Sequence, residues 1–385
     1  LMYIITMSQR HPPQEQIDYV LNLFKSDQIQ QALDFIDTLS KDYPDKSLLF
    51  NIRGAGYAGL GQLDIAVQNY EKALSIKPDY AKAHYNLGSA LQELGKLHDS
   101  VKSYENSIAL EPENAQAHNN LAIVLRELDQ LEEAEASCRK AIVLDPEYAE
   151  AYSSLSIILY ANGDLNSALE SIEKAYSINP KLKIIKLLLA VLKARKTHKT
   201  SKVSISNIRS ISNPLILNRA VEQELIAKLY EMKSLELEKT KDPSYGNARG
   251  SGYQLFQDDH SSIIKTVEED LVRILREAIK ADIHVKDSFF TILGAGGGVN
   301  RHNHISALDI DSSLNLINQK FSLVYYLSVG DQDCTEPGIL KLYDPSENIL
   351  PREGMIIIFP ADRYHSVVYN GKKDRIIIGI NFYSL

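Results

Sequence analysis

Residues 297–304 read Gly-Gly-Val-Asn-Arg-His-Asn-His, and the carboxy-terminal third of the chain is organised around them. On an extended strand, side chains at i and i+2 project to the same face, so His302 and His304 can reach one metal ion. A third histidine, His365, follows 61 positions after His304 (365 − 304), behind the apolar run M-I-I-I-F at 355–359, and Arg375 comes ten residues later (375 − 365). Three imidazoles converging across a small sheet, with an arginine one strand away, point to a mononuclear metal centre that holds an anionic co-substrate.

Apolar or alternating runs separated by turn residues predict seven short strands: Ser288–Leu293, Val299–His304, Phe321–Val329, Gly338–Tyr343, Met355–Phe359, His365–Tyr369 and Arg375–Tyr383. With few helices between them, they suit a β-sandwich or barrel better than a parallel sheet. Asn370-Gly371 is the pair a tight hairpin uses, so the strands of His365 and Arg375 are expected to pair and bring the arginine near the metal. In the last strand Arg375, Ile377, Gly379, Asn381 and Tyr383 share a face, and a guanidinium buried there needs an anion. The alternative is a surface pair with Asp374 or Glu353.

Taken in order, these elements resemble the double-stranded β-helix core of the Fe(II)- and 2-oxoglutarate-dependent dioxygenases, closest to the prolyl 4-hydroxylase-like branch. His302, Tyr325-Tyr326-Leu327, Gly338-Ile339-Leu340, His365 and Arg375 stand where that family carries H-x-D, Y-Y-L, G-x-L, a distal histidine and a basic residue beyond it. The resemblance runs from near Asn213 to the end of the chain. It implies Fe(II) and 2-oxoglutarate, with ascorbate in support, and hydroxylation of a protein or peptide substrate, a prolyl side chain being the first expectation. It also implies that Arg375 and Tyr326 hold the far carboxylate of 2-oxoglutarate. One position departs from the pattern: His304 stands where the family usually has a carboxylate. His302, His304 and His365 then form an all-histidine facial triad, with Asp309 or Asp311 as the alternative second ligand. Two other functions remain open, an interaction scaffold with an inactive barrel and a three-histidine metal enzyme that does not use 2-oxoglutarate.

The amino-terminal half carries a different signal. Pro44, Pro78, Pro112, Pro146 and Pro180 recur every 34 residues (78 − 44 and onward), as do the small residues Ala32, Ala66, Ser100, Ala134 and Ala168. Gly61, Gly95 and Gly163 mark the turns, with Asp129 in the place between the last two. This resembles the tetratricopeptide repeat, in which small side chains let paired helices approach and proline ends the second helix. About four and a half units fit between Gln14 and Pro180, the first degenerate, and an amphipathic helix from Leu182 to Arg195 caps them. Asn86 and Asn120, at one helix position of successive units, are candidates to hydrogen-bond a peptide in the groove, followed by Lys82, Tyr85 and Asn119. Tyr57, Tyr70 and Tyr104 fall at packing positions.

The expected organisation is therefore multidomain: a tail (1–13), an all-α tetratricopeptide superhelix (14–196), a Lys- and Ser-rich linker (197–213), and a double-stranded β-helix, or jelly-roll, domain with supporting helices (214–385). Those helices are expected from Asn218 to Ser234 and, capped by Asp258 or Asp259, through Ile279, with the glycine-rich segment 245–253 a loop between them. The net charge of −8 excludes a nucleic-acid binder that relies on basic surface. Cys138 and Cys334 are too few and too far apart for a disulfide framework, which suits a reducing cytoplasm. The opening L-M-Y-I-I-T-M is too short to span a bilayer, so no membrane partner is expected, and Met7 is a candidate start.

Overall fold

A computed structural model of the chain describes residues 12–200, 213–240, 242–252, 254–259, 261–306, 308–311 and 314–385. Most of the expected tail, with Met7, and most of the expected linker lie outside those residues. The chain divides into two units between Ile185 and Lys186, inside the helix Lys183–Thr200 that was expected as a cap. Among the described residues no helix is long and apolar enough to cross a membrane.

The first unit is an all-α tetratricopeptide superhelix. Its helix pairs are Gln14–Lys25 with Ile29–Asp42, Ser47–Gly59 with Leu63–Ile76, Ala81–Glu93 with Leu97–Leu110, Ala115–Glu127 with Leu131–Leu144, and Ala149–Ala161 with Leu165–Ile178. The first pair is complete, where the sequence suggested a partial unit. Its turn residue is Asp27, with φ +58°, and Gly61, Gly95, Asp129 and Gly163 follow at the same 34-residue step, all with positive φ. Aspartate enters the left-handed region more readily than most side chains, so the device works without a glycine. Ala32, Ala66, Ser100, Ala134 and Ala168 are all fully buried, which is what close helix approach requires. A second compensation runs through the stack: a Cβ on Gly54 would lie 2.6 Å from the Tyr70 ring, and one on Gly88 would lie 3.0 Å from Tyr104. One unit on, the corresponding pair is Ala122 with the smaller Cys138, both fully buried.

The second unit is built on two antiparallel sheets. One has the order β1 (Leu215–Asn218), β10 (Met355–Pro360), β7 (Lys320–Ser328), β12 (Arg375–Ser384), β5 (Ile283–Leu293), β4 (Ala248–Gly250) and β2 (Leu235–Glu236). The other runs β3 (Ser244–Tyr245), β6 (Gly298–His302), β11 (His365–Val368), β8 (Leu340–Leu342) and β9 (Glu347–Ile349). Strands β7, β10 and β12 are buried on both faces, and the period of two sorts their side chains. Ile376, Ile378, Ile380 and Phe382 join Phe321, Leu323, Ile356 and Ile358 in a core completed by the helices Gln223–Glu231 and Ser262–Ile279. Each such side chain stabilises the fold by about 1.5–3 kcal/mol when removed from water. The opposite parity, including Ser322, Val324, Tyr326, Arg375, Ile377 and Asn381, lines a pocket.

Three expectations change. The helix expected from Asn218 is preceded by β1, an edge strand paired to β10, and begins only at Gln223. Segment 245–253 is not a plain loop, because it ends β3 and supplies β4. The Asn370-Gly371 hairpin does not form: β11 is hydrogen-bonded to β6 and β8 in one sheet, and β12 to β7 and β5 in the other. With both edges of each strand taken, the connection crosses between sheets. Tyr369 N donates to Gly297 O (3.0 Å) and Asn370 N to Glu336 O (2.9 Å) along the way.

Candidate metal centre

His302 closes β6 and lies directly opposite His365, the first residue of β11, so the sheet register itself brings two imidazoles together. Their ring centroids are 4.2 Å apart. His304 stands beyond the end of β6, where its backbone N donates to Ala361 O at 2.9 Å, and its ring lies 4.8 Å from His302 and 5.0 Å from His365. The extended spacing expected for the pair survives although the ladder stops between them. One donor atom from each of the three rings falls within 4.8 Å of the others, close enough for one ion.

The rings are also in the right protonation state. Burial pushes His365 down to about 3, with repulsion from His302 adding to it. Burial likewise lowers His304 well below, and His302 below, the usual imidazole range. A neutral ring is what a metal ion binds, so no proton has to be displaced near neutral pH. His302 Nδ1 lies 2.8 Å from Asn300 O, and His365 Nδ1 lies 3.5 Å from Arg363 O. A carbonyl can only accept, so the short contact puts the proton on His302 Nδ1 and leaves its Nε2 as the metal donor, and the longer His365 contact favours the same tautomer.

Asp309, the alternative second ligand, is committed elsewhere, and neither it nor Asp311 belongs to the convergent set. Its Oδ1 accepts from Tyr383 OH (2.6 Å); its Oδ2 accepts from Lys320 Nζ (2.7 Å) and from Ser306 N and Oγ (both 2.6 Å). Burial raises this carboxyl's pKa, but the bonds from Lys320, Ser306 and Tyr383 outweigh it and hold the group below the ordinary carboxylate value. Lys320 is equally buried and also donates to the His304 carbonyl. The carboxylate therefore anchors the backbone of a candidate ligand. Nothing in the sequence marked Lys320 for this part, since a lysine opening an apolar strand reads as a strand end.

All three histidines line one pocket together with Arg375, Tyr326, Asn381, Phe289 and Asp242. Arg375 is 2% exposed, which rules out the surface pairing, and Asp374 instead accepts from Tyr230 OH (2.9 Å). Arg375 Nη1 donates to Gly338 O, and the guanidinium lies 5.0 Å from the centre of the Tyr326 ring. Gly338 has φ +79°, and a Cβ there would stand 2.1 Å from Arg375 Nη1, so only glycine admits the arginine. Arg375 Nε and Tyr326 OH are buried without a well-formed hydrogen bond, and the two side chains lie near enough to each other to interact electrostatically. A buried cation with an unmet donor costs several kcal/mol, and an anion in the pocket removes that cost.

In the first unit, Asn86 Nδ2 donates to Asn51 Oδ1 (3.0 Å), and Asn120 Nδ2 to Tyr85 OH (3.0 Å). The amides singled out for a peptide link one repeat to the next, each across 35 residues. Asn119 is buried with its Oδ1 unpartnered, and Lys82 Nζ sits 4.7 Å over the Tyr85 ring. Tyr70 and Tyr104 are buried packing residues, as expected.

Comparison with known proteins identifies the repeats. Residues 56–95 match the family described as TPR repeat, and residues 85–149 and 149–182 match families described as tetratricopeptide repeat. Peroxisomal targeting signal receptors of Candida glabrata and Saccharomyces cerevisiae are 31% and 29% identical to this chain over 75 residues. That stretch is 20% of this chain but only 13% and 12% of those receptors. Among solved structures, MamA from Desulfovibrio magneticus is 21% identical, covering 43% of this chain and 94% of its own, with a TM-score of 0.41.

Proposed function

We propose, with the tetratricopeptide array as premise, that the β-rich unit is a double-stranded β-helix dioxygenase using Fe(II) and 2-oxoglutarate, and that the array recruits its protein or peptide substrate. The observation that carries this reading is one pocket holding three neutral imidazoles and a buried guanidinium with an unmet donor. These residues fit Fe(II) and 2-oxoglutarate. His302, His304 and His365 would hold Fe(II) through Nε2 and leave coordination positions open. Arg375 and the Tyr326 hydroxyl would receive the far carboxylate of 2-oxoglutarate, a bidentate match for a guanidinium. Three imidazoles bring no charge of their own, so the dianionic keto acid balances the metal where a ligating carboxylate would have shared that part.

Bound Fe(II) and 2-oxoglutarate supply the oxidative chemistry: dioxygen is reduced, the keto acid becomes succinate and CO₂, and one oxygen atom enters a substrate C–H bond. The chain's own share is geometric. Gly338 leaves room for Arg375, and Leu340, Val367 and Phe289 give the pocket apolar walls. The receptors that share sequence with this chain bind, by their name, a targeting signal, which supports a peptide segment as the class of ligand for the array. A prolyl side chain is the first substrate to try.

The purified chain, supplied with Fe(II), 2-oxoglutarate and ascorbate in air, is expected to release succinate, and Arg375→Ala is expected to suppress it. Metal binding without dependence on 2-oxoglutarate would instead indicate a three-histidine enzyme of another type. Failure to bind any divalent ion would leave an interaction scaffold with an inactive barrel.

A further inference from the structure

We propose that Asn381, held by Ser322, is the positioning residue for His304: its amide oxygen accepts the Nδ1 proton of that ring and so presents Nε2 to the metal. This rests on the metal-centre reading above and extends it to a residue with no ligand role of its own.

The argument starts from an asymmetry among the three histidines. His302 and His365 each have Nδ1 directed at the carbonyl two residues earlier, Asn300 and Arg363. His304 has left the ladder, and its ring nitrogen meets a side chain instead: Asn381 Nδ2 lies 3.5 Å from Nδ1. Asn381 and Ser322 are buried, at 4% and 3% exposure, and directly opposed in the register of β12 and β7. Ser322 Oγ bonds Asn381 Oδ1 at 2.8 Å. A carboxamide and a hydroxyl buried on a wall of apolar strands are costly unless they are bonded, so their presence at the pocket parity of β12 calls for a reason.

Chemistry supplies one. The two ends of a carboxamide have the same shape, and a half-turn about Cβ–Cγ exchanges them. In one orientation Nδ2 donates to an unprotonated Nδ1 while Oδ1 accepts from Ser322. In the other, Oδ1 accepts from Nδ1–H and Nδ2 donates to Ser322 Oγ, a hydroxyl that works both ways. The pair therefore serves either tautomer, and a metal ion on Nε2 selects the second. Only a partner able to accept fulfils this role, and that separates positioning from mere packing.

The test uses Co(II) and the full chain, reading affinity and visible d–d absorption, with circular dichroism to confirm the fold. Asn381→Leu, which fills the space but cannot accept, is expected to weaken Co(II) binding about 10–100-fold and to alter the absorption bands. Asn381→Asp keeps an acceptor toward Nδ1 and is expected to bind Co(II) at least as tightly as the starting protein. Unchanged binding in Asn381→Leu overturns the proposal, as does equal loss in both variants, which marks a packing role. If the starting protein itself takes up no Co(II), the metal reading fails before the variants are compared, and this proposal falls with it.

Discussion

The two units hold their important residues in opposite ways. In the repeat array each contact is made several times over: five turn positions share one left-handed conformation, and five small residues at one step are all buried. In the β-rich unit the contacts that shape the pocket are mostly made once. One glycine admits Arg375, one lysine ties Asp309 to the loop of His304, and one register sets His302 against His365. A repeated device tolerates a local lapse, such as Asp27 in place of glycine. A single device has no second copy to fall back on when its one residue is changed.

The sharpest test of that contrast is Lys320→Met. It takes the cation from the fully buried Asp309 carboxylate and leaves the stranded charge only its bonds from Tyr383 and Ser306, and losing one partner of a buried pair costs about 3–5 kcal/mol. Chemical denaturation should show this loss, and Asp309→Asn added to Lys320→Met should recover much of it by removing the stranded charge. The pH dependence has a definite sign. The folded-state pKa of Asp309 lies below its unfolded value of about 3.9, so its stabilisation is fully present above that value and is lost as pH falls through the folded-state pKa. The steepest acid loss should shrink in Asp309→Asn.

Next in size is Arg375→Met, where two readouts should move in opposite directions. Removing the anchor should weaken 2-oxoglutarate binding by about 2–5 kcal/mol in calorimetry. The same change removes a buried cation whose Nε lacks a well-formed hydrogen bond, so the protein without co-substrate should become more stable, by about 1–4 kcal/mol. A variant that lost stability as well would show that Arg375 serves packing.

These two residues also mark how far the sequence could be followed. A period of 34 is visible in the chain alone because each unit repeats the same physical demand, and the period-two face of the last strand put Arg375 and Asn381 together. Pairing between strands distant in sequence is not written in local pattern. The Asn370-Gly371 pair has the right turn chemistry, yet β11 and β12 already have other neighbours on both sides. The same holds for Lys320 and Ser322, whose parts depend on what the register sets opposite them.

In the array, the comparison is sharpened by Gly54→Ala. The added methyl would lie 2.6 Å from the Tyr70 ring, and overpacking of this kind costs about 1–3 kcal/mol. Tyr70→Cys in the same chain imitates the Ala122 and Cys138 pair and should restore part of the loss in thermal unfolding. If it does not, the 34-residue correspondence between units is looser than burial suggests.

The smallest expected effect is a gain. Asn86 reaches Asn51, and Asn120 reaches Tyr85, each one unit back at a step of 35 residues. The next position in that series is Ser154, whose partner by the same step is Asn119 (154 − 119 = 35), and Asn119 Oδ1 is buried without a bond. A serine hydroxyl is shorter than a carboxamide and leaves the series unfinished. Ser154→Asn supplies the missing Nδ2 donor and should stabilise the protein by about 0.5–1.5 kcal/mol, the usual net value of one hydrogen bond. Denaturation midpoints of Ser154→Asn, with Asn119→Ala as the paired control, measure it. A gain that persists when Asn119 is truncated would show that the amide works through something other than the repeat-to-repeat bond.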